Sequence, residues 1–470
     1  MYIYYILLAQ TAALMRQFAI LFLFLQLVLP QVAKAQYRFT PFKDNPARVS
    51  SLLEAIDKRC EADRKSLSGE YKKYTADVYK ERCDIIKKYV TEKEVLIANE
   101  TQSYLETLVA EIIKTNPTLQ GQQLRILFSR SHYANAASLG DGTILFNIGL
   151  FHRLENEAQV IFALCHEIAH FMLNHGNNHI EQYIHAIYSS DFQKKLKTIQ
   201  KSEYGQNKQL ENLAQKFTFS TRRHSREHET AADSMALELM RNTHFDVRES
   251  LSLLAMFDST DKDKFNVPLE LEKRFHFSNY PFKKRWLESD DLIFTNDKEK
   301  STDLNADSLR THPDCQKRIA ILSPKVKDYY KTDSRKFLTS DKTFEELKKQ
   351  FDYEIVEYCY QSGAESRAMY FALQMLTHYP NDVYLNTLVG RCLNDFYTHQ
   401  KAHELDKIVD RPNAGSKDQY NLLLQFIQNL SLIDIAALSQ NFLSRQEPVL
   451  SADPDFQKVY RTSKDLSSPF

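Results

Sequence analysis

The chain has 470 residues with 61 basic and 61 acidic side chains, so its formal net charge is zero. This balance creates no global field for nucleic acid or an acidic membrane surface, and we expect no nucleic-acid partner. The 10 glycines stand against 25 tyrosines and 29 phenylalanines. Few turn formers and many aromatic residues favour a mainly α (α+β) protein of two or three domains.

The first 35 residues have the pattern of a secretory signal peptide. Arg16 is followed by an apolar run over 18–29 and an A-x-A cleavage site at 33–35. The run is short for a membrane anchor, which is the alternative interpretation, and no cysteine follows the cleavage site. We therefore expect an exported protein, periplasmic or secreted, with no permanent membrane span in its mature chain.

The predicted export makes disulfide bonds possible among the six cysteines. Cys60 and Cys83 lie in two charged, helix-like runs and can form a disulfide in an oxidising compartment. Cys359 and Cys392 lie 33 residues apart, which suggests equivalent places in a repeat. Cys165, beside a histidine-rich run, is interpreted as a small buried residue.

The chain divides into four predicted segments. A signal peptide over 1–35 precedes a helical accessory segment over 36–95, a central domain over 96–330 and a helical domain over 331–470. The run "TQSYLETLVAEIIKTNP" predicts an amphipathic helix, and "LRILFSR" and "GTILFNIG" predict two strands around a turn-rich segment.

Helical periodicity returns at Glu155, and further helices are predicted over 226–240 and 246–257. Residues 186–222 are polar and lysine-rich, which indicates an insertion or a helical arm. In the C-terminal segment, Gly390 stands where a tight helix pair would have no room for a side chain. This segment resembles a tetratricopeptide-like repeat, and a plain helical bundle is the alternative.

The run "ALCHEIAHFMLNHGNNH", residues 163–179, contains the pattern H-E-x-x-H. On a helix, His166 and His170 share one face and can present two imidazoles to one zinc ion. Glu167, next to the first ligand, can take a proton from an attacking water and pass it to the leaving nitrogen. The alternative is a pair of histidines satisfied on a helix face.

A third ligand is available in "SREHETAADSMALELM". Glu229 can complete a site of two histidines and one glutamate. Asp233, one turn further, can accept the outer N–H of a ligand histidine. The alternative is a charged, solvated helix face.

The longer pattern H-E-x-x-H-x-x-G-x-x-H is not met, because Leu173 and Gly176 occupy its glycine and third histidine. His175 and His179 are therefore not expected to bind zinc directly. A separate hypothesis is that one of several histidines is a fourth ligand in an inactive state. The histidines considered are His175, His179, His224 and His312.

Four runs together resemble the HtpX/CAAX-prenyl-protease-type metallopeptidases, metallopeptidase family forty-eight, of the gluzincin class. The runs "EAQVIFALCHEIAHFMLNH", "SREHETAAD" and "THPDCQKRIAIL" are similar to its three motifs, and "NAASLGDGTILFNIGLFHRLENE" resembles the segment before its zinc helix. The resemblance covers about residues 100–325. It implies a gluzincin domain with a small β-sheet, which an α-helical repeat-like domain would follow.

The resemblance implies one Zn²⁺ per chain. The ion would be held by His166, His170 and Glu229, with Glu167 as general base and acid. Asp233 would orient a ligand histidine.

The resemblance also implies roles outside the two motif helices. An edge strand beginning near Asn135 and Ala136 would bind an extended substrate by β-addition. His312 would stabilise the oxyanion, and Arg318 would hold that segment in place. Alternatively, His312 caps a helix and Arg318 forms a structural ion pair.

The leading hypothesis is a zinc endopeptidase that acts on unfolded or misassembled envelope or outer-membrane proteins. The C-terminal helices would present these substrates or bind an envelope assembly complex. A chaperone or assembly scaffold with secondary proteolysis is the alternative, and a secreted digestive protease is a third reading. An intact Glu167 argues against the scaffold, since a scaffold needs no general base.

Overall fold

The structure is a computed structural model. It describes residues 38–201, 226–258, 268–288, 315–413, 416 and 418–468. Helices dominate these residues, and a small sheet accompanies them. The predicted mainly α (α+β) class is therefore confirmed.

The four strands are β1 (Val95–Leu96), β2 (Arg125–Ser129), β3 (Ala136–Ser138) and β4 (Thr143–Asn147). The helices up to residue 258 are α1 (Pro46–Ser66), α2 (Lys72–Thr91), α3 (Asn99–Thr115), α4 (Ile148–Arg153), α5 (Glu157–Met172), α6 (His175–Tyr188), α7 (Ser190–Gln200), α8 (226–241) and α9 (Glu249–Asp258). The later helices are α10 (Leu271–Arg274), α11 (Cys315–Tyr329), α12 (Asp341–Gln361), α13 (Glu365–Met375), α14 (Val383–Lys401), α15 (Gln419–Gln428), α16 (Leu432–Leu450) and α17 (Pro454–Ser467). Short 3₁₀ helices occupy Pro117–Leu119, Lys284–Leu287 and Leu405–Lys407.

The sheet has the order β1-β2-β4-β3, so β3 lies at one edge. Strands β2 and β4 run parallel, and each outer strand is antiparallel to its neighbour. The two predicted strands are confirmed as β2 and β4. The alternation pattern does not predict β1 or β3, because two or three residues cannot display a period of two. The edge strand implied near Asn135 and Ala136 is present as β3.

The inner strands are buried on both faces, which explains their continuous apolar runs. Phe128 and Phe146 face the main core with α3 and α5. Leu127 and Leu145 face the other way, against Ile86 of the α1–α2 hairpin. The accessory hairpin therefore covers the second face of the sheet.

The predicted helical hairpin is confirmed, and a disulfide joins its two helices. Cys60 of α1 and Cys83 of α2 are bonded, with their Cα atoms 6.1 Å apart. The remaining described cysteines, Cys165 among them, are buried thiols. Burial alone raises the pKa of Cys165 above its ordinary value, in agreement with a buried small residue rather than a nucleophile.

The C-terminal helices pack around α14, which contacts α13, α16 and α17. Gly390 of α14 lies against α16, and a Cβ at this position would lie 2.5 Å from the Leu443 side chain. The predicted close helix approach is therefore confirmed. Cys359 and Cys392 are both buried in this region. The repeat character and the domain boundaries stay predictions.

The central and helical regions share one continuous hydrophobic core. Arg130, just after β2, donates to Glu354 of α12 across 3.0 Å, and both side chains are buried. The extended segment before α1 also reaches α12, where Phe39 stacks on Tyr353. The predicted accessory segment thus begins with an extended stretch that ties the two regions together.

Several predictions fall outside the described residues. They concern the signal peptide, His224, His312 and the part of the predicted insertion over 202–222. The earlier part of that insertion is helical, in α6 and α7. No described helix alone is long and apolar enough to cross a membrane, whereas α15 and α16 pass that test as a pair bent by 118°.

Candidate metal centre

Helix α5 carries H-E-x-x-H through the main core. Its first turn is capped by Asn156, whose side chain accepts from the backbone N–H of Gln159 at 3.1 Å. The helix is buried from Glu157 to Ala169 because apolar side chains surround its charged motif. After Leu173, Asn174 adopts a left-handed conformation (φ 56°), which ends α5 and starts α6 in a new direction.

Three ligand-type side chains converge beside this helix. The Nε2 atoms of His166 and His170 lie 3.1 Å apart. Glu229 of α8 reaches both rings, with one oxygen 3.5 Å from His166 Nε2 and the other 3.3 Å from His170 Nε2. Their ligand atoms all lie within 4.8 Å of one another, so the three residues can hold a metal ion.

A second layer of charged groups supports these donors. Asp233 lies one turn after Glu229 on α8, and its Oδ1 is 3.0 Å from His166 Nδ1. Arg318 of α11 donates two hydrogen bonds to Asp233, at 2.6 and 2.7 Å. A third guanidinium nitrogen lies 3.2 Å from Glu229. Arg318 thereby fixes both carboxylates of α8 from a third helix.

The electrostatics of the cluster favour positive charge at His166. Burial lowers the pKa of His166, but hydrogen bonds and charges from Asp233 and Glu229 outweigh it and raise that pKa to about 10. Burial would raise the pKa of Asp233, but Arg318 and His166 outweigh it and lower that pKa. Two carboxylates face one guanidinium, so the cluster attracts a cation.

Glu167 points to the edge strand rather than into the donor cluster. Its Oε2 accepts a 2.7 Å hydrogen bond from the backbone N–H of Ser138 in β3. Ala136 of the same strand lines a cavity beside His166 and Glu167. The acid–base candidate and the strand implied for substrate binding are therefore adjacent.

That cavity is small, with a volume of about 10 Å³, close to the space that one water needs. Its apolar lining includes Phe162 of α5 and Phe257 of α9. A substrate side chain could enter only if these side chains moved.

His175, at the start of α6, contacts the outer nitrogen of a candidate ligand. Its Nδ1 lies 3.0 Å from His170 Nδ1, and its ring stacks on His228 with centroids 4.1 Å apart. Burial, followed by the charges of His170 and His228, lowers the pKa of His175 to about 4. The ring is therefore neutral at pH 7.

The structure brings together most of the predicted site residues. One cluster contains His166, His170, Glu229, Asp233, Glu167 and Arg318. Asn135 and Ala136 lie where the neighbouring edge strand begins. Arg318 forms an ion pair, as the alternative interpretation predicts, and its partners are the carboxylates of the site itself.

Two contacts were missed by sequence reasoning. The Ser138 N–H is a backbone group, which no sequence pattern reveals. The role of His175 had a signal in the local excess of histidine, but the bend at Asn174 decides where its ring points.

The donor set fits zinc, which favours imidazole and carboxylate ligands. The buried carboxylates would balance its charge, and each histidine offers Nε2 inward while Nδ1 has its own partner.

A comparison with protein families found that residues 99–325, just under half of the chain, match the model of peptidase family M48. None of the curated proteins compared with the chain matched it. Members of this family are zinc-dependent metallopeptidases. The match over residues 99–325 supports membership of the M48 metallopeptidase family.

Proposed function

We propose that this protein is a zinc-dependent endopeptidase that cleaves unfolded or misassembled proteins of the cell envelope. The observation that carries the proposal is the convergence of His166, His170 and Glu229 beside Glu167 and an open sheet edge. Family membership supports the peptidase activity. The remaining features support the type of substrate and the compartment.

His166, His170 and Glu229 would hold the zinc ion. Bound there, zinc would supply Lewis-acid chemistry that activates water and polarises the scissile carbonyl. Glu167 takes the proton of the attacking water at its Oε1, since Oε2 already accepts from Ser138. The same carboxyl then donates that proton to the leaving nitrogen.

Strand β3 would hold the substrate as an added strand. Its outer edge has no neighbouring strand among the described residues. Binding by β-addition requires an extended segment with free backbone groups, which folded proteins rarely offer. Unfolded or stalled chains are therefore the expected substrates.

Export is supported by two independent features. The N-terminal sequence has the pattern of a signal peptide. The Cys60–Cys83 disulfide requires an oxidising compartment to persist. The periplasm is the compartment that best fits an envelope substrate.

The alternative function, a chaperone or assembly scaffold, is favoured by one observation. The cavity at His166 and Glu167 has only about 10 Å³, which is close to the space that one water needs. In this alternative the helical region binds partners, and proteolysis is secondary.

The test compares the chain from Gln36 with its Glu167→Gln variant on a denatured, fluorescently labelled protein. Loss of the general base should lower the cleavage rate by about 10²–10⁴-fold, with zinc content unchanged. Glu181→Gln, at an exposed position on α6, is the matched control and should cleave like the wild type. Equal cleavage by Glu167→Gln and the wild type would refute the proposed mechanism.

The same variant separates the peptidase from the scaffold in cells. If cells carrying Glu167→Gln show the defect of a complete deletion, proteolysis is the function. If they behave like the wild type, the scaffold is the better account.

A further inference from the structure

The two candidate zinc-binding histidines differ in the group that contacts Nδ1, the ring nitrogen that points away from the donor cluster. His166 Nδ1 faces the Asp233 carboxylate at 3.0 Å. His170 Nδ1 instead lies 3.0 Å from Nδ1 of another imidazole, that of His175. The donor cluster gathers on the opposite, Nε2 side of both rings.

The proton positions follow from this geometry. A neutral histidine that offers the Nε2 lone pair to a metal carries its proton on Nδ1. His170 Nδ1–H must therefore donate, and His175 Nδ1 must accept. His175 then carries its own proton on Nε2, so the contact selects one tautomer of each ring.

We propose that His175 is a positioning residue, which orients the His170 ring and fixes its tautomer for zinc binding. The proposal rests on the zinc site of the proposed function. In zinc sites, the outer N–H of a ligand histidine is commonly held by a carboxylate, a backbone carbonyl or water. Here the imidazole of His175, from the next helix, would take that place.

His175 is itself held in a fixed orientation. It is buried, with 8% of its surface exposed. Its ring stacks on His228, with only 10° between the ring planes. Because His228 directly precedes Glu229 on α8, the stack joins α6 to the helix that carries the third ligand. One side chain thus connects the segments of two ligands.

The same geometry argues against His175 as a fourth ligand. Its contact is with the outer nitrogen of His170, behind the ring, while the metal-binding group comprises His166, His170 and Glu229 in the part of the chain that the structure describes. His179 is exposed one turn further along α6. It therefore serves as a control.

The experiment measures zinc affinity by competition with a chromogenic chelator, using the chain from Gln36. His175→Ala should weaken zinc binding by about 10- to 100-fold. His175→Asn should recover part of that loss, because its Oδ1 occupies nearly the place of Nδ1 and accepts a hydrogen bond. His179→Ala should bind like the wild type.

A second readout distinguishes positioning from general stability. The visible absorption of the Co²⁺-substituted protein reports ligand geometry and should change in His175→Ala, with recovery towards the wild type in His175→Asn. Thermal unfolding of the zinc-free proteins checks that each variant folds. A loss of affinity that Asn does not relieve at all would overturn the hydrogen-bond role.

Wild-type zinc affinity in His175→Ala would also overturn the proposal. If His175→Ala does not fold, His175→Asn alone tests the proposal. His175→Asn should bind zinc more weakly than the wild type, and its Co²⁺ spectrum should stay close to that of the wild type because Asn still accepts the hydrogen bond. Failure of the wild-type protein to bind zinc would instead refute the proposed function. The two failures are therefore distinguishable.

Discussion

Glu167 is held by a backbone group of the strand that the substrate is proposed to join. The Ser138 N–H donates to Glu167 Oε2 at 2.7 Å, while the buried Ser138 hydroxyl has no hydrogen-bond partner among the described residues. The contact therefore depends on the backbone and not on the side chain. It places the carboxylate that would move protons within reach of a chain bound to β3.

Because the contact depends on the backbone, substitutions of Ser138 can test whether this hydrogen bond positions Glu167. Ser138→Pro removes the N–H, and proline is tolerated in an edge strand, whereas Ser138→Ala keeps the N–H. We expect Ser138→Pro to lower kcat by about 10-fold or more, because the misplaced carboxylate loses its geometry for proton transfer. Zinc content should stay at the wild-type value.

Ser138→Ala is the matched control and should retain wild-type kcat within about twofold, since the removed hydroxyl makes no hydrogen bond within the part of the chain that the structure describes. Steady-state cleavage of a fluorogenic peptide measures both variants. Equal kcat values for the proline and alanine variants would show that this hydrogen bond does not position Glu167.

The sequence predicted the ligand-type residues more completely than their supports. His166, His170 and Glu229 follow from spacing because helices place residues four apart on one face. The link from Arg318 to Asp233 joins positions 85 residues apart. Such a link depends on how α8 and α11 pack, so sequence spacing cannot supply it.

At the scale of elements, helices were predicted well and short strands poorly. The long amphipathic runs of α1, α2 and α3 display many periods, whereas β1 has two residues. Strand β3 contains two alanines, which have low strand propensity. It exists because β4 offers a paired edge, a tertiary cause that local sequence does not contain.

The close approach of α14 and α16 gives a prediction at this scale. In Gly390→Ala, the new methyl group would lie 2.5 Å from Leu443 Cδ2. We expect the free energy of unfolding to fall by about 1–3 kcal/mol, because overpacking outweighs the gain in helix propensity. Urea unfolding followed by circular dichroism measures the change.

Gly176→Ala is the matched helical control. A Cβ there would lie 3.5 Å from its nearest neighbour, an ordinary contact. Its stability should stay equal or rise by up to about 1 kcal/mol. A Gly390→Ala protein as stable as this control would contradict the close packing of the two helices.

At the scale of the whole molecule, the helical region is attached to the loop that leads into β3. Arg130 at the start of this loop pairs with Glu354. Two residues later, His132 Nε2 lies 3.2 Å from the Arg367 guanidinium of α13, which also pairs with Asp410. A change in the helices would therefore reach the proposed substrate strand.

His132 makes this attachment sensitive to pH. Burial, and next the charge of Arg367, lowers its pKa from 6.5 to about 4. Between these values the unfolded chain binds more protons, so stability is fully present above pH 6.5 and is lost as the pH falls towards 4. The contribution of this residue is at most about 1.4 kcal/mol per pH unit.

We expect His132→Gln to reduce the dependence of the free energy of unfolding on pH between 6.5 and 4. Urea unfolding at several pH values measures the slope. His378→Gln, at an exposed position, should keep the wild-type slope. An unchanged slope in His132→Gln would show that His132 does not carry this pH dependence.

The most direct test of the account is the zinc content per chain, measured by elemental analysis on the protein from Gln36 and on its Glu229→Ala variant. We predict about one zinc per wild-type chain, since the site has three protein ligands, and a sharply reduced content in the variant. Zinc absent from the wild type, or held equally by both proteins, would contradict a centre formed by His166, His170 and Glu229.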